Sequence, residues 1–184
     1  MRFYVLLLTT LVNSVLADEC SENKWLAQKD PIAELNLNLG PINKLQVSEF
    51  WFTSNECIRM PTEDFYVIQY NTNGYPAIID RETGHGPKLQ TVDLDSDGIE
   101  EVVLAFKSGG NQTLMNIYRL SDFNLSKLDT TKLSSNMASI EIVENSNSPV
   151  FIKVSNAEVA PSNQQIVVVE NYFLSNGKLK IIQK

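Results

Sequence analysis

Nine residues of this chain concentrate oxygen donors in a single turn. In "DLDSDGIEE", Asp93 to Glu101, carboxylates stand at positions 1, 3, 5, 8 and 9, and Gly98 stands at position 6. Like charges held a few ångströms apart repel at a cost that water only partly screens. Such a turn is either fully solvated or closed round a cation. The spacing favours the cation. Hard oxygen donors at alternate positions wrap one Ca²⁺, a glycine at position 6 permits the sharp turn, and position 7 offers its main-chain carbonyl. The expected ligands are the side chains of Asp93, Asp95, Asp97 and Glu101 and the carbonyl of Ile99. Glu100 falls on no ligand position and is expected to face solvent. The competing reading is a solvated acidic turn, because Asp, Ser and Gly favour turns without any ion.

The spacing is also that of the first half of an EF-hand loop. Position 12, however, is Leu104, where that loop needs a bidentate glutamate, and the flanks alternate like strands. The stretch "DLDSDGIEEVVLAF" instead resembles the D-x-D-x-D-G-x-x-[DE] calcium loop of FG-GAP repeats, the blade units of integrin-type propellers and of many exported bacterial proteins. The resemblance covers about Leu89 to Leu120. It implies a loop joining two strands, with "VVLAF" as a buried strand after it, and it implies the same five calcium ligands. The Phe-Gly and Gly-Ala-Pro signatures of that family are absent. The turn "ENSNSP" lacks the carboxylate spacing, so one site is expected. The next stretch, "KSGGNQTLMNIYRL", resembles part of the exported bacterial lysozyme inhibitors, with a Gly109-Gly110 turn before a strand carrying Tyr118. The plainer reading of that stretch is a flexible loop followed by a packed tyrosine.

The elements that must position this turn read as strands. Short alternating or continuous apolar runs recur between turn residues: "KLQVSEFWF", "FYVIQY", "YPAIID", "PKLQTVDL", "EEVVLAF", "TLMNIYRL", "FNLSKLD", "ASIEIVE", "PVFIKVS", "QIVVVENYFL" and "KLKIIQ". In the first, Leu45, Val47 and Trp51 fall on one side. Asn73-Gly74 and Asn176-Gly177 mark hairpins. Hairpin-like stretches recur about every 50 residues, which suits meanders of the propeller-blade kind, although three such units are too few to close an ordinary propeller. The expected class is therefore all-β, built of antiparallel meanders in a sandwich or an incomplete propeller-like arrangement. Glu22 to Lys29, before Pro31, leaves room for one short N-terminal helix.

The first 17 residues have the plan of a secretory signal peptide. Arg2 precedes an apolar run, and Val15 and Ala17 are small residues at the −3 and −1 positions of a cleavage site. Residues 18–184 then form one domain that starts at Asp18, periplasmic or secreted. Two cysteines, Cys20 and Cys57, are expected to pair in an oxidising compartment. Closing that loop would add about 4 kcal/mol in the chain-entropy model. The formal net charge of −7 argues against nucleic acid and anionic membranes as partners and is compatible with a cationic protein. No later run is apolar for long enough to form a transmembrane helix.

Catalytic patterns are scarce. The single histidine, His85, lies between Gly84 and Gly86 and reads as a loop residue. The carboxylate pairs Glu63-Asp64 and Glu100-Glu101 read as surface charge, and the aromatic strands as core, with Trp51 able to serve either as core or as a sugar platform. Asn111 and Asn124 open glycosylation sequons. The expected role is an exported calcium-binding module for a protein ligand, a cationic cell-wall hydrolase such as lysozyme being the specific candidate by charge and resemblance. The alternative is an exported hydrolase acting on envelope or glycan material, with calcium as a structural aid.

Overall fold

A computed structural model describes residues 26–27, 31–53, 59–121, 124–128, 130, 133–145, 148–162 and 164–182. Side chains are described for most of these, but not for 26–27, 50–53, 59–63, 145 and 148. The protein is all-β, with a 3-10 turn at Gly109–Asn111. Among the described residues the strands form three antiparallel sheets, none closed into a barrel.

Each sheet is a meander of consecutive strands. The first holds β1 (Leu26–Ala27), β2 (Ala33–Leu39), β3 (Ile42–Thr53), β4 (Arg59–Asn71) and β5 (Pro76–Thr83). The second holds β6 (His85–Val92), β7 (Glu101–Ser108), β8 (Gln112–Ser121), β9 (Asn124–Lys127) and β10 (Ser134–Asn136), with β9 and β10 both paired to β8. The third holds β11 (Ile140–Asn145), β12 (Ser148–Val159), β13 (Gln165–Ser175) and β14 (Lys178–Ile181). The hairpin signals fall between the last two strands of the outer meanders. Asn176 and Gly177 both have positive φ, 53° and 69°, and join Ser175 to Lys178 as a two-residue turn.

The short N-terminal helix is not formed where the structure describes that region. Leu26 and Ala27 are extended and pair with Trp51 and Phe50 at the edge of β3. β2 covers only the first half of that edge, from Ile42 to Val47. The remaining main-chain groups of β3 offer hydrogen bonds that an isolated helical turn, costly to nucleate, does not match.

The sheets stack in three layers, with the second in the middle. Leu45, Val47, Phe65 and Val67 of the first sheet pack against Val102, Leu104, Phe106 and Tyr118 of the second. The rings of Phe65 and Phe106 meet edge to face, with centroids 5.2 Å apart. The opposite face of the second sheet, with Val103, Met115 and Ile117, packs on Ile152, Val154, Tyr172 and Leu174 of the third. β7 is thus buried on both faces, which accounts for its unbroken apolar run "VVLAF" where a half-exposed strand would alternate. Leu45 and Val47 share the buried face as expected, but a register shift between Glu49 and Trp51 interrupts the pairing of β3 with β4. Polar groups also tie the layers. Buried Gln69 accepts from the Leu125 N–H (2.9 Å) and donates to Asn124 Oδ1 (2.7 Å).

Gly84 is the joint between the first two sheets. A Cβ there would collide with the carbonyl oxygen of Lys107 and lie 2.8 Å from the Phe106 ring. The close approach of backbone to backbone that glycine permits lets β6 begin directly after β5. The double burial of β7 sets a stability expectation. Leu104→Ala should lower the unfolding free energy by about 2–5 kcal/mol, as for other fully buried leucines, measured by urea denaturation.

Candidate metal centre at the β6–β7 turn

The acidic turn connects β6 to β7 and is wound round Asp93. Its carboxylate accepts hydrogen bonds from the main-chain N–H groups of Asp97 (3.1 Å, to Oδ1) and Gly98 (3.0 Å, to Oδ2). Asp97 Oδ1 in turn accepts from Ile99 N–H at 2.9 Å. Ser96 and Gly98 take positive φ, 59° and 85°, which tightens the loop. Leu94 is buried in the core between the second and third sheets and anchors the turn from beneath.

Glu101 opens β7 and points into the protein. It has no exposed surface. Its Oε2 accepts from Leu94 N–H at 3.0 Å, while Oε1 has no hydrogen-bond partner. Asp95 Oδ1 is likewise buried and unpartnered. One oxygen each from Asp93, Asp95 and Glu101 lie within 4.8 Å of one another.

A positive charge stands beside this group. Arg119 on β8 donates from Nη1 to Asp95 Oδ2 at 2.9 Å and from Nη2 to Asp97 Oδ2, and its Nε lies 3.5 Å from Glu101 Oε1. Burial pushes the Glu101 carboxyl above its ordinary value, and Asp95 and Asp97 add to that, against the pull of the Leu94 N–H and Arg119. Burial works against the Arg119 charge, but Asp95, Glu101 and Asp97 outweigh it and hold its pKa above the ordinary arginine value.

Of the five ligands expected from sequence, the structure gathers the carboxylates of Asp93, Asp95 and Glu101. Asp97 turns to Arg119 instead. Ile99 is 46% exposed, and Glu100 is exposed. The residue that sequence reading missed is Arg119. Its signal lay in strand register: Val102 pairs with Tyr118, so the next step along the ladder sets Arg119 beside Glu101. Three carboxylates with two orphaned, water-excluded oxygens suit a hard divalent cation such as Ca²⁺ better than a softer metal, since oxygen donors select Mg²⁺, Ca²⁺ and Mn²⁺. Next to the turn lies a cleft of about 420 Å³, with Asp95, Asp97 and Arg119 on one side and Phe173, Ser175 and Asn176 on the other.

The remaining candidates sit elsewhere. Cys20 and Cys57, the Ala17–Asp18 junction, and the side chains of Trp51 and Glu63 lie outside what is described. His85 is exposed at the start of β6. Asp64 accepts from the Thr83 hydroxyl (2.6 Å) and from Arg81 (2.5 Å), which together hold its carboxyl below the usual value. Asn111 and Asn124 are exposed at a turn and at the start of β9. Among the described residues, no helix is long and apolar enough to cross a membrane.

Tyr118 is part of the packed interior between the first two sheets. Its hydroxyl donates to Asp80 Oδ2 at 2.7 Å, and Lys127 pairs with Asp80 (3.1 Å) and with Glu82. Asn116 Nδ2 donates to Glu82 at 2.8 Å. Burial, followed by the hydrogen bond to Asp80, pushes the tyrosine hydroxyl far above its ordinary value. The folded state therefore keeps a proton that the unfolded chain loses near pH 10. The stability held by this group is intact below about pH 10 and declines as the pH rises beyond it. Tyr118→Phe should cost about 1.5–3 kcal/mol at neutral pH and flatten that alkaline decline, both read from denaturation curves between pH 7 and 11.

No protein-family model matches the chain, and no curated protein or solved structure is significantly similar to it.

Proposed function

We infer that this protein is an exported calcium-binding β protein in which one Ca²⁺ fastens the β6–β7 turn. The observation that carries this reading is the pair of buried oxygens without a hydrogen-bond partner, Asp95 Oδ1 and Glu101 Oε1, grouped with an oxygen of Asp93. A buried carboxylate oxygen without a partner costs free energy that a bound cation would remove. Asp93, Asp95 and Glu101 would hold the ion, with Asp97 and the Ile99 carbonyl completing the set. The ion's role is structural. It binds the folded turn and not the unfolded chain, so it stabilises by mass action.

The test is thermal melting in EDTA and in millimolar calcium. At a hundred-fold excess over the dissociation constant, calcium should add about 2.7 kcal/mol. Asp95→Ala and Glu101→Gln should each remove most of that increment. Identical curves for the wild type, with no heat of binding in calorimetry, would leave the turn an acidic loop that holds no ion.

The wider role we infer is that of a binding module for a cationic protein, a cell-wall hydrolase such as lysozyme being the specific candidate. The net charge of −7 supports it. Purified lysozyme should bind the calcium-loaded protein in calorimetry, with affinity that falls as salt is raised. No binding at low salt rejects this partner.

A further inference from the structure

We propose that Arg119 is a built-in competitor for the ion, holding in the ion-free protein carboxylate oxygens that the loop's spacing reserves for the metal. The proposal rests on the calcium reading and assigns what sets the affinity of that site. The loop offers four carboxylates at ligand positions, yet only Asp93, Asp95 and Glu101 are gathered. The missing one, Asp97, is held by Arg119 Nη2, and the same guanidinium holds one of the two Asp95 oxygens at 2.9 Å. Its planar fork suits this bridging of two carboxylates.

Arg119 does not close the site. Its Nε stands 3.5 Å from Glu101 Oε1, and that buried oxygen stays without a hydrogen bond, as does Asp95 Oδ1. A single charge set against four carboxylates leaves an excess of negative charge that a divalent ion would meet. To recruit Asp97, the ion must displace an arginine that cannot be deprotonated. Nor can the arginine diffuse away, because β8 fixes it beside the first residue of β7. A tethered competitor acts at a high effective concentration, so calcium binding is expected to be weak in the native protein. The adjoining cleft, which Arg119 itself lines, gives the displaced guanidinium room.

The experiment is a calcium chloride titration by calorimetry of the full chain, with Arg119→Gln and Arg119→Lys beside the wild type. Circular dichroism checks the fold of each. Arg119→Gln should bind calcium at least ten-fold more tightly than the wild type, about 1.4 kcal/mol, while its ion-free melting temperature falls. Arg119→Lys, which keeps the charge but loses the fork, should lie between the two. Should Arg119→Gln not fold, the lysine variant is read alone, and tighter binding than wild type is again the expected result. Equal or weaker affinity in a folded variant overturns the proposal and makes Arg119 a residue that positions the ligands. Binding by Arg119→Gln with none by the wild type upholds the competitor while removing the calcium role of the native protein. Absence of binding in the wild type and both folded variants removes the calcium reading and this proposal together.

Discussion

From Glu101 to Leu104 β7 is buried on both faces, and the chemistry of the molecule follows from that. A strand buried between two sheets must be apolar along its length, and "VVLAF" is. Side chains alternate across a strand, so the residue before Val102 points where Val103 points, into the layer shared with the third sheet. That residue is Glu101. A carboxylate there is desolvated by the same packing that stabilises the strand. The N–H of Leu94 and the nearby Arg119 charge are the compensation the protein supplies.

The two faces of the middle sheet treat buried polarity differently. Towards the first sheet, Asn116 and Tyr118 meet Glu82 and Asp80, and Lys127 reaches both carboxylates. That network is closed, with the side-chain donors answered by acceptors on the neighbouring sheet. Towards the third sheet, the acidic turn is left open. Among the described residues, the buried side-chain nitrogens and oxygens without a hydrogen-bond partner are Asp95 Oδ1 and Glu101 Oε1. A closed polar network favours one packing of two sheets over others, whereas an open one keeps unspent capacity for an additional ligand.

What sequence could and could not reveal divides along range. The Asn176-Gly177 turn was legible because its backbone conformation is decided by those two residues. The buried character of β7 was legible from its unbroken apolar run. The first hairpin was placed correctly, but its loop is held by Asn71, whose side chain accepts from the N–H groups of Asn73 and Tyr75, a detail beyond the dipeptide signal. β2, "AELNLNL", carries an alternation that is itself a strand signal. Spacing alone speaks for Asp97 as a ligand, whereas its contact with Arg119, 22 residues away, depends on the β7–β8 register. The Leu26–Ala27 strand depends on an edge that β2 leaves uncovered, which no local pattern announces.

The order of strands within the sheets separates the cost of pairing from the gain of burial. Main-chain pairing nearly everywhere joins strands that follow one another in the chain, so short loops close most of the ladders. Closing the individual meanders therefore costs little loop entropy. Stability is distributed differently. The middle meander gains its burial only when both outer ones are docked, because each covers one of its faces. Cutting away the last meander would strip the cover from Ile117 and Val103 and leave the middle sheet with half its burial.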